Sequence, residues 1–147
     1  MILIETRVAP SGIHGNGLFT RHALPAGTPF YRFQPGFDQS LTPEHWAALP
    51  GPARRFVRHF SYFDAAMRRL ILSGDDARFI NHSENPNTGA LPGSTEPVET
   101  IALRDIAAGE ELTCDYRAFD ADAAWKLERV EEDSPLGAGW PAEPRSV

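Results

Sequence analysis

The chain has a single cysteine, Cys114, among its 147 residues. One thiol excludes an internal disulfide framework and any cysteine-rich zinc cluster. No apolar run approaches the ~20 residues that a helix needs to span a bilayer. Nor does a basic segment near Met1 lead into a long apolar run, so no secretory signal is visible and the cytoplasm is the expected location. Asn81-His82-Ser83 has the form of a glycosylation acceptor, but without a secretory route the match carries nothing. None of the five histidines stands at a spacing typical of zinc ligands. Positive charge is also scarce: 14 Lys and Arg face 20 Asp and Glu, for a net charge of -6. That balance argues against direct nucleic-acid binding, which needs clustered cations. It fits a protein that meets a basic, lysine-rich partner, and it fits acidic solubility equally well.

What is present is ordinary globular material. Hydrophobic residues make up 41% and charged residues 23% of a length suited to one domain with a real core. Met1 to Val8 alternates and predicts a first strand, broken by Pro10-Ser11-Gly12. Gly15-Asn16-Gly17 then opens into a second strand, Leu18-Phe19-Thr20. Glycines there either turn a hairpin or let backbone approach a ligand closely, and one turn can do both. Leu24-Pro25-Ala26-Gly27, followed by the apolar run Phe30 to Phe33, is echoed by Ile106-Ala107-Ala108-Gly109, followed by Glu111-Leu112. The echo predicts two similar hairpins, each turning at its glycine.

Thr42-Pro43-Glu44 is a helix start, with a Thr cap, Pro in the first position and an acid in the first turn. Pro50-Gly51-Pro52 ends that helix, and Ala53 to His59 predicts a second. The arginines around it (Arg54, Arg55, Arg58, Arg68 and Arg69) read as a solvated basic face. His59 to Phe63 and Arg69 to Ser73 predict a hairpin. Asp75 to Ile80 predicts one or two helical turns capped by Asp75 or Asp76, running into a polar loop. In that loop Asn81, Ser83, Asn85 and Asn87 can all bond nearby backbone, and Pro86 keeps Asn85 out of the helical region. Gly89 to Glu99 reads as a flexible loop between that segment and strands at Glu99 to Arg104 and Glu111 to Tyr116. A helix is expected over Ala121 to Val130, and after Asp133 a Pro- and Gly-bearing tail in which Trp140 could dock.

Three segments, taken in order, resemble the SET-domain protein lysine methyltransferases. Gly15-Asn16-Gly17 is similar to the family's Gly-x-Gly cofactor loop, and Arg78-Phe79-Ile80-Asn81-His82-Ser83 to its Arg-Phe-x-Asn-His-Ser segment. Gly109-Glu110-Glu111-Leu112-Thr113-Cys114-Asp115-Tyr116 is similar to its Gly-Glu-Glu-Leu-Thr-x-Asp-Tyr segment. The resemblance covers roughly residues 3 to 118. It implies a mostly β (α+β) fold, a β-clip of several short sheets with a small helical insert. In that fold the segment ending at the tyrosine crosses the Asn-His loop in a knot-like way. The domain boundaries that follow are 1–118, with a variable insert at 41–75, and a C-terminal helix and tail at 119–147. Without the cysteine clusters that flank many members, the chain resembles a minimal SET domain of the bacterial or viral kind.

The resemblance further implies an S-adenosylmethionine-dependent enzyme that methylates the ε-amine of a lysine in a protein. Tyr116 would be the catalytic tyrosine. Gly15, Asn16, Gly17, Arg78, Asn81 and His82 would hold the cofactor, and Tyr62, Cys114 and Phe119 would line the substrate channel. Trp125 and Trp140 are further aromatics available for that wall. An ordinary lysine must lose a proton before it can attack, at a cost of about 4–5 kcal/mol at pH 7. An apolar channel and an adjacent sulfonium both lower that cost. Many members carry Phe or Tyr two residues before the tyrosine and so limit the number of methyl groups added. The smaller Cys114 implies a roomier pocket and di- or trimethylation. No metal is expected, and a homodimer that completes the substrate groove stays open. A catalytically inactive SET-fold module that binds a basic peptide is the alternative. A Cys114–His82 hydrolase is disfavoured, because a thiol beside Asp115 in mid-strand is a poor thiolate.

Overall fold

The computed structural model describes residues 1–93 and 99–128. Strands β1 (Thr6–Pro10), β2 (Asn16–Thr20), β3 (Pro29–Tyr31) and β4 (Gln39–Leu41) lead to helices α1 (Pro43–Ala47) and α2 (Gly51–Phe60). Strands β5 (Ser61–Asp64) and β6 (Arg69–Leu72) follow, then a 3-10 turn at Asp76–Phe79. Next come β7 (Asn81–His82), β8 (Thr88–Ala90), β9 (Thr100–Ala102) and β10 (Glu111–Cys114). A second 3-10 turn, Tyr116–Ala118, precedes α3 (Ala123–Leu127). The fold is mostly β, in several short sheets. It divides into two compact units, Met1–Asp38 with Ser73–Asp115, and Gln39–Leu72 with the chain from Tyr116 onward.

In the first unit one sheet runs β1-β2-β10-β7 and a second β3-β9-β8. Leu18 of β2 pairs with Leu112 of β10 and neither is exposed to solvent, so these strands centre the core. Leu24, Phe30, Tyr31, Ala102 and Ile106 complete it. Strand β1 starts later than the alternation predicts. Ile2 donates its amide to the Asp75 carboxylate at 2.7 Å and Leu3 to the Phe30 carbonyl at 2.8 Å, so the first residues are tied elsewhere. Pro10 ends β1 without breaking it, because β1 is an edge strand and a missing N–H costs nothing on its open side.

The internal echo is physical. Leu24 and Ile106 exchange both backbone hydrogen bonds, each at 2.8 Å. Gly27 donates to the Ala102 carbonyl at 2.7 Å as Gly109 donates to that of Thr20 at 2.8 Å. Thr20 N–H bonds Glu110, and Ala102 N–H bonds Thr28, in the same mirrored manner. Both glycines are left-handed, with φ of 84° and 79°, a conformation that suits a residue without Cβ. Two strand–turn–strand segments of like sequence thus clasp each other about a local two-fold, but neither is the expected hairpin, because β2 pairs with β10 and β3 with β9 instead of each strand folding back on its own neighbour. The loop expected from Gly89 begins later than predicted, since Thr88–Ala90 pairs with β9; residues 94–98 lie outside the described residues.

The second unit holds an antiparallel sheet in the order β4-β6-β5, whose Phe63 and Leu70 form a core with Trp46 of α1 and Val57 of α2. Thr42 caps α1, its hydroxyl accepting from the His45 amide at 3.2 Å. Helix α2 begins at Gly51 rather than Ala53, because Pro52 in its first turn needs no N–H partner. It also runs on to Phe60, which shortens the expected hairpin to β5 and β6. The basic face needs correcting: Arg58 is 5% exposed and forms a two-pronged ion pair with Asp122, at 2.8 and 3.0 Å. Its guanidinium also lies 4.3 Å over the Trp125 ring. The final helix covers Ala123–Leu127, and the expected contributions of Val130 and Trp140 fall outside the described residues.

Candidate active site

The glycine loop of the first unit is held by a buried amide. Asn81, 7% exposed, donates from Nδ2 to the carbonyls of His14 and Asn16, each at 3.1 Å, and to Glu111 Oε1 at 2.8 Å. The Ser11 hydroxyl meets the same carboxylate at 2.8 and 2.9 Å, and accepts from the Ile13 amide at 2.9 Å. A Cβ at Gly17 would stand 2.2 Å from Glu111 Oε1, so any larger residue would displace this carboxylate from the clamp. The close approach that the absent side chain permits is to this carboxylate. Gly15 has φ of 47° and open space where a Cβ would point. The backbone of residues 14–16 is therefore solvent-facing and fixed from behind by Ser11, Glu111 and Asn81.

The loop that carries Asn81 also wraps β10. Strand β7 pairs parallel with it, Asn81 opposite Thr113 and His82 opposite Cys114. Asn87, 2% exposed, accepts from the Thr113 amide at 2.8 Å and donates to the Glu111 carbonyl at 2.7 Å, so its side chain acts as a short piece of strand. Thr88 donates its hydroxyl to the Thr113 carbonyl at 2.7 Å, and the Ser83 amide bonds Cys114 O at 3.0 Å. Ser83 and Asn87 are thus architectural. His82 places Nδ1 3.6 Å from Asp115 Oδ1, a contact that becomes an ion pair when the ring is protonated. Arg78 is exposed, its guanidinium 5.4 Å from the Phe79 ring. Glu110 does not touch residues 14–16 but accepts from Asn87 Nδ2 at 3.3 Å. The Arg104 guanidinium, aided by the Ala107 amide, holds its carboxyl down from the usual 4.5 to about 2.

Tyr116 belongs to the second unit. Strand β10 ends at Cys114, and Tyr116 opens a 3-10 turn instead of closing the strand. Its carbonyl accepts from Asp120 at 2.8 Å and from Phe119 at 3.2 Å. The Phe119 ring stands edge-on to it at 6.3 Å, and Tyr62 meets Phe119 at 5.3 Å. Two expected channel residues, Tyr62 and Phe119, thus form an aromatic row with Tyr116, while Cys114 sits half-buried in β10 of the first unit. Lys126 lies 5.7 Å over the Tyr116 ring, a neighbour that no local sequence signal announced. Ser11 and the role of Glu111 were missed too. The signal for Ser11 was its place one residue before the turn glycine, where a hydroxyl can bond nearby amides. No group of three or more metal-ligating side chains occurs among the described residues.

A model of the SET domain matches residues 15–117. The chain belongs to the SET-domain family. Human histone-lysine N-methyltransferase 2B is 35% identical over 120 residues, 80% of this chain. A Saccharomyces cerevisiae histone-lysine N-methyltransferase named as specific for H3 lysine 4 is 44% identical over 63 residues, 41% of this chain. The SET domain here spans only 4% and 5% of the length of those two proteins. A crystal structure of a Plasmodium falciparum protein, named as a candidate histone methyltransferase, superposes with a TM-score of 0.55. That match covers 78% of this chain and 95% of the other at 18% identity, and so speaks to the SET fold alone.

Proposed function

We propose that this SET domain transfers a methyl group from S-adenosylmethionine to the ε-amine of a lysine in a protein substrate. The observation that carries the reading is the Ser11–Glu111–Asn81 clamp, which presents the backbone of residues 14–16 in a fixed, exposed form. The residues suit the cofactor. Asn81 Oδ1 accepts no hydrogen bond among the described residues and can take one from an amino group. Gly15 leaves room for a close ligand. Gly15, Asn16, Gly17, Asn81 and His82 would hold it, with Arg78 at the exposed edge. When bound, the cofactor supplies an activated methyl group on a positively charged sulfur.

The protein's own work is positioning. Tyr116 presents a phenol that can orient the substrate nitrogen, and Tyr62 and Phe119 offer an aromatic wall against which the alkyl stem of a lysine can lie. Bringing nitrogen, carbon and sulfur into line is worth several kcal/mol in such transfers. A net charge of -6 favours encounter with a lysine-rich chain, and the names of the human and yeast relatives make a histone the first substrate to try. Cys114 leaves room for more than one methyl group.

The test is methyl transfer onto core histones and ribosomal proteins, read as methyl-lysine by mass spectrometry. The wild type is expected to produce it, and Tyr116→Phe to lower kcat about 100-fold. A folded wild type that binds the cofactor and modifies no lysine in either pool would overturn the reading.

A further inference from the structure

Thirteen of the 14 basic residues are arginine, and the one lysine is Lys126. It sits in α3, and its side chain is 12% exposed. Its ammonium donates to the carbonyl of Ser61 in β5 and to Asp120 Oδ2, whose side chain is 1% exposed. Two of the three ammonium donors thus go to oxygen, and the third is left for the face of the Tyr116 ring, 5.7 Å away. Asp120 closes the circuit, since its amide is the one that bonds the Tyr116 carbonyl at 2.8 Å. Asp120 Oδ1 is occupied by the Phe63 and Asp122 amides, each at 2.9 Å, so the carboxylate cannot swing away. A planar guanidinium fork is larger than an ammonium and presents its donors in a fixed plane, which suits this three-way meeting poorly.

We propose that Lys126 is a positioning residue for methyl transfer: clamped by Asp120 and Ser61, it fixes the Tyr116 ring from one face while Phe119 meets it edge-on. The proposal rests on the reading of Tyr116 as the group beside the reacting amine. A ring held by two such neighbours is pre-organised, so its hydroxyl need not be ordered at the moment of reaction. The assignment also explains why a chain that otherwise uses arginine keeps a lysine here.

Labelling with 3-fluorotyrosine gives one fluorine environment for each of Tyr31, Tyr62 and Tyr116, and Tyr116→Phe identifies its signal. Lys126→Met is expected to displace or broaden that signal and to leave Tyr31, in the first unit, unchanged. Because Lys126→Met strands a buried carboxylate, Asp120→Asn/Lys126→Met is the folded control and should give the same displacement. In both variants kcat should fall between about tenfold and 100-fold. The KM for the lysine substrate and the affinity for S-adenosylmethionine should change by less than about twofold, a split that general loss of structure would not produce. An unmoved Tyr116 signal in either folded variant, or wild-type kcat in the double variant, would overturn the proposal. A wild type that transfers no methyl group would overturn the proposed function instead, and the fluorine signal alone would then decide whether Lys126 fixes the ring.

Discussion

Asn81 ties together three chain segments through one amide group, and its truncation has two separable effects. Asn81→Ala leaves the carbonyls of His14 and Asn16 without this donor and Glu111 with Ser11 alone. The expected loss is about 1–3 kcal/mol of stability, measured by urea denaturation. Gly17→Ala forces a Cβ to within 2.2 Å of the Glu111 carboxylate and should unseat the same clamp from the other side. It is expected to lower cofactor affinity at least about tenfold by calorimetry, in keeping with the cost of misplacing a positioned group. Cys114→Phe should move the product from di- or trimethyl- toward monomethyl-lysine, read by mass spectrometry; monomethyl product from the wild type would contradict the roomier pocket. At this scale much was legible. Asn81 and the glycines stand in a recognisable order, and Pro86 with its asparagines announced a loop that bonds its own backbone. Ser11 was not legible as a partner, because it meets Glu111 across 100 positions of sequence.

Among the elements, the mirrored turns were the most legible, since Leu24 to Gly27 and Ile106 to Gly109 repeat both apolar spacing and turn glycine, while the exchange of strand partners that keeps them from being hairpins had no local signal. Helix α2 was the least. Its pattern places Arg58 among other arginines, and only the return of the chain at Asp122 buries it. Breaking that pair by Arg58→Met should cost about 3–5 kcal/mol in urea, because the buried Asp122 carboxylate loses its two-pronged cationic partner. Arg58→Met/Asp122→Asn should recover much of that loss. The turn before β10 supplies a pH dependence. Glu110 has a folded-state pKa lowered from 4.5 to about 2, chiefly by Arg104, so its contribution is present above the unfolded value. It is lost as pH falls from about 4.5 toward about 2. Thermal melts across that range should show a smaller acid loss for Glu110→Gln than for the wild type.

For the whole molecule, the sequence order of three motifs was enough to indicate the SET family, since each motif is short and their order in one small domain is what is specific. Its division into two units was less legible, because the breaks at 38/39, 72/73 and 115/116 carry no common punctuation. The last break falls between Asp115, which faces His82, and Tyr116, which faces Phe119 and Lys126. Cofactor-loop residues and the proposed transfer tyrosine thus belong to different units.

Calorimetric titration of the wild type and of Asn81→Ala with S-adenosylmethionine tests the cofactor site directly. Micromolar binding by the wild type, lost in a variant that still unfolds cooperatively, is the predicted result. A folded wild type that gives no binding heat at several temperatures would contradict the cofactor site, and with it the enzymatic reading of this chain.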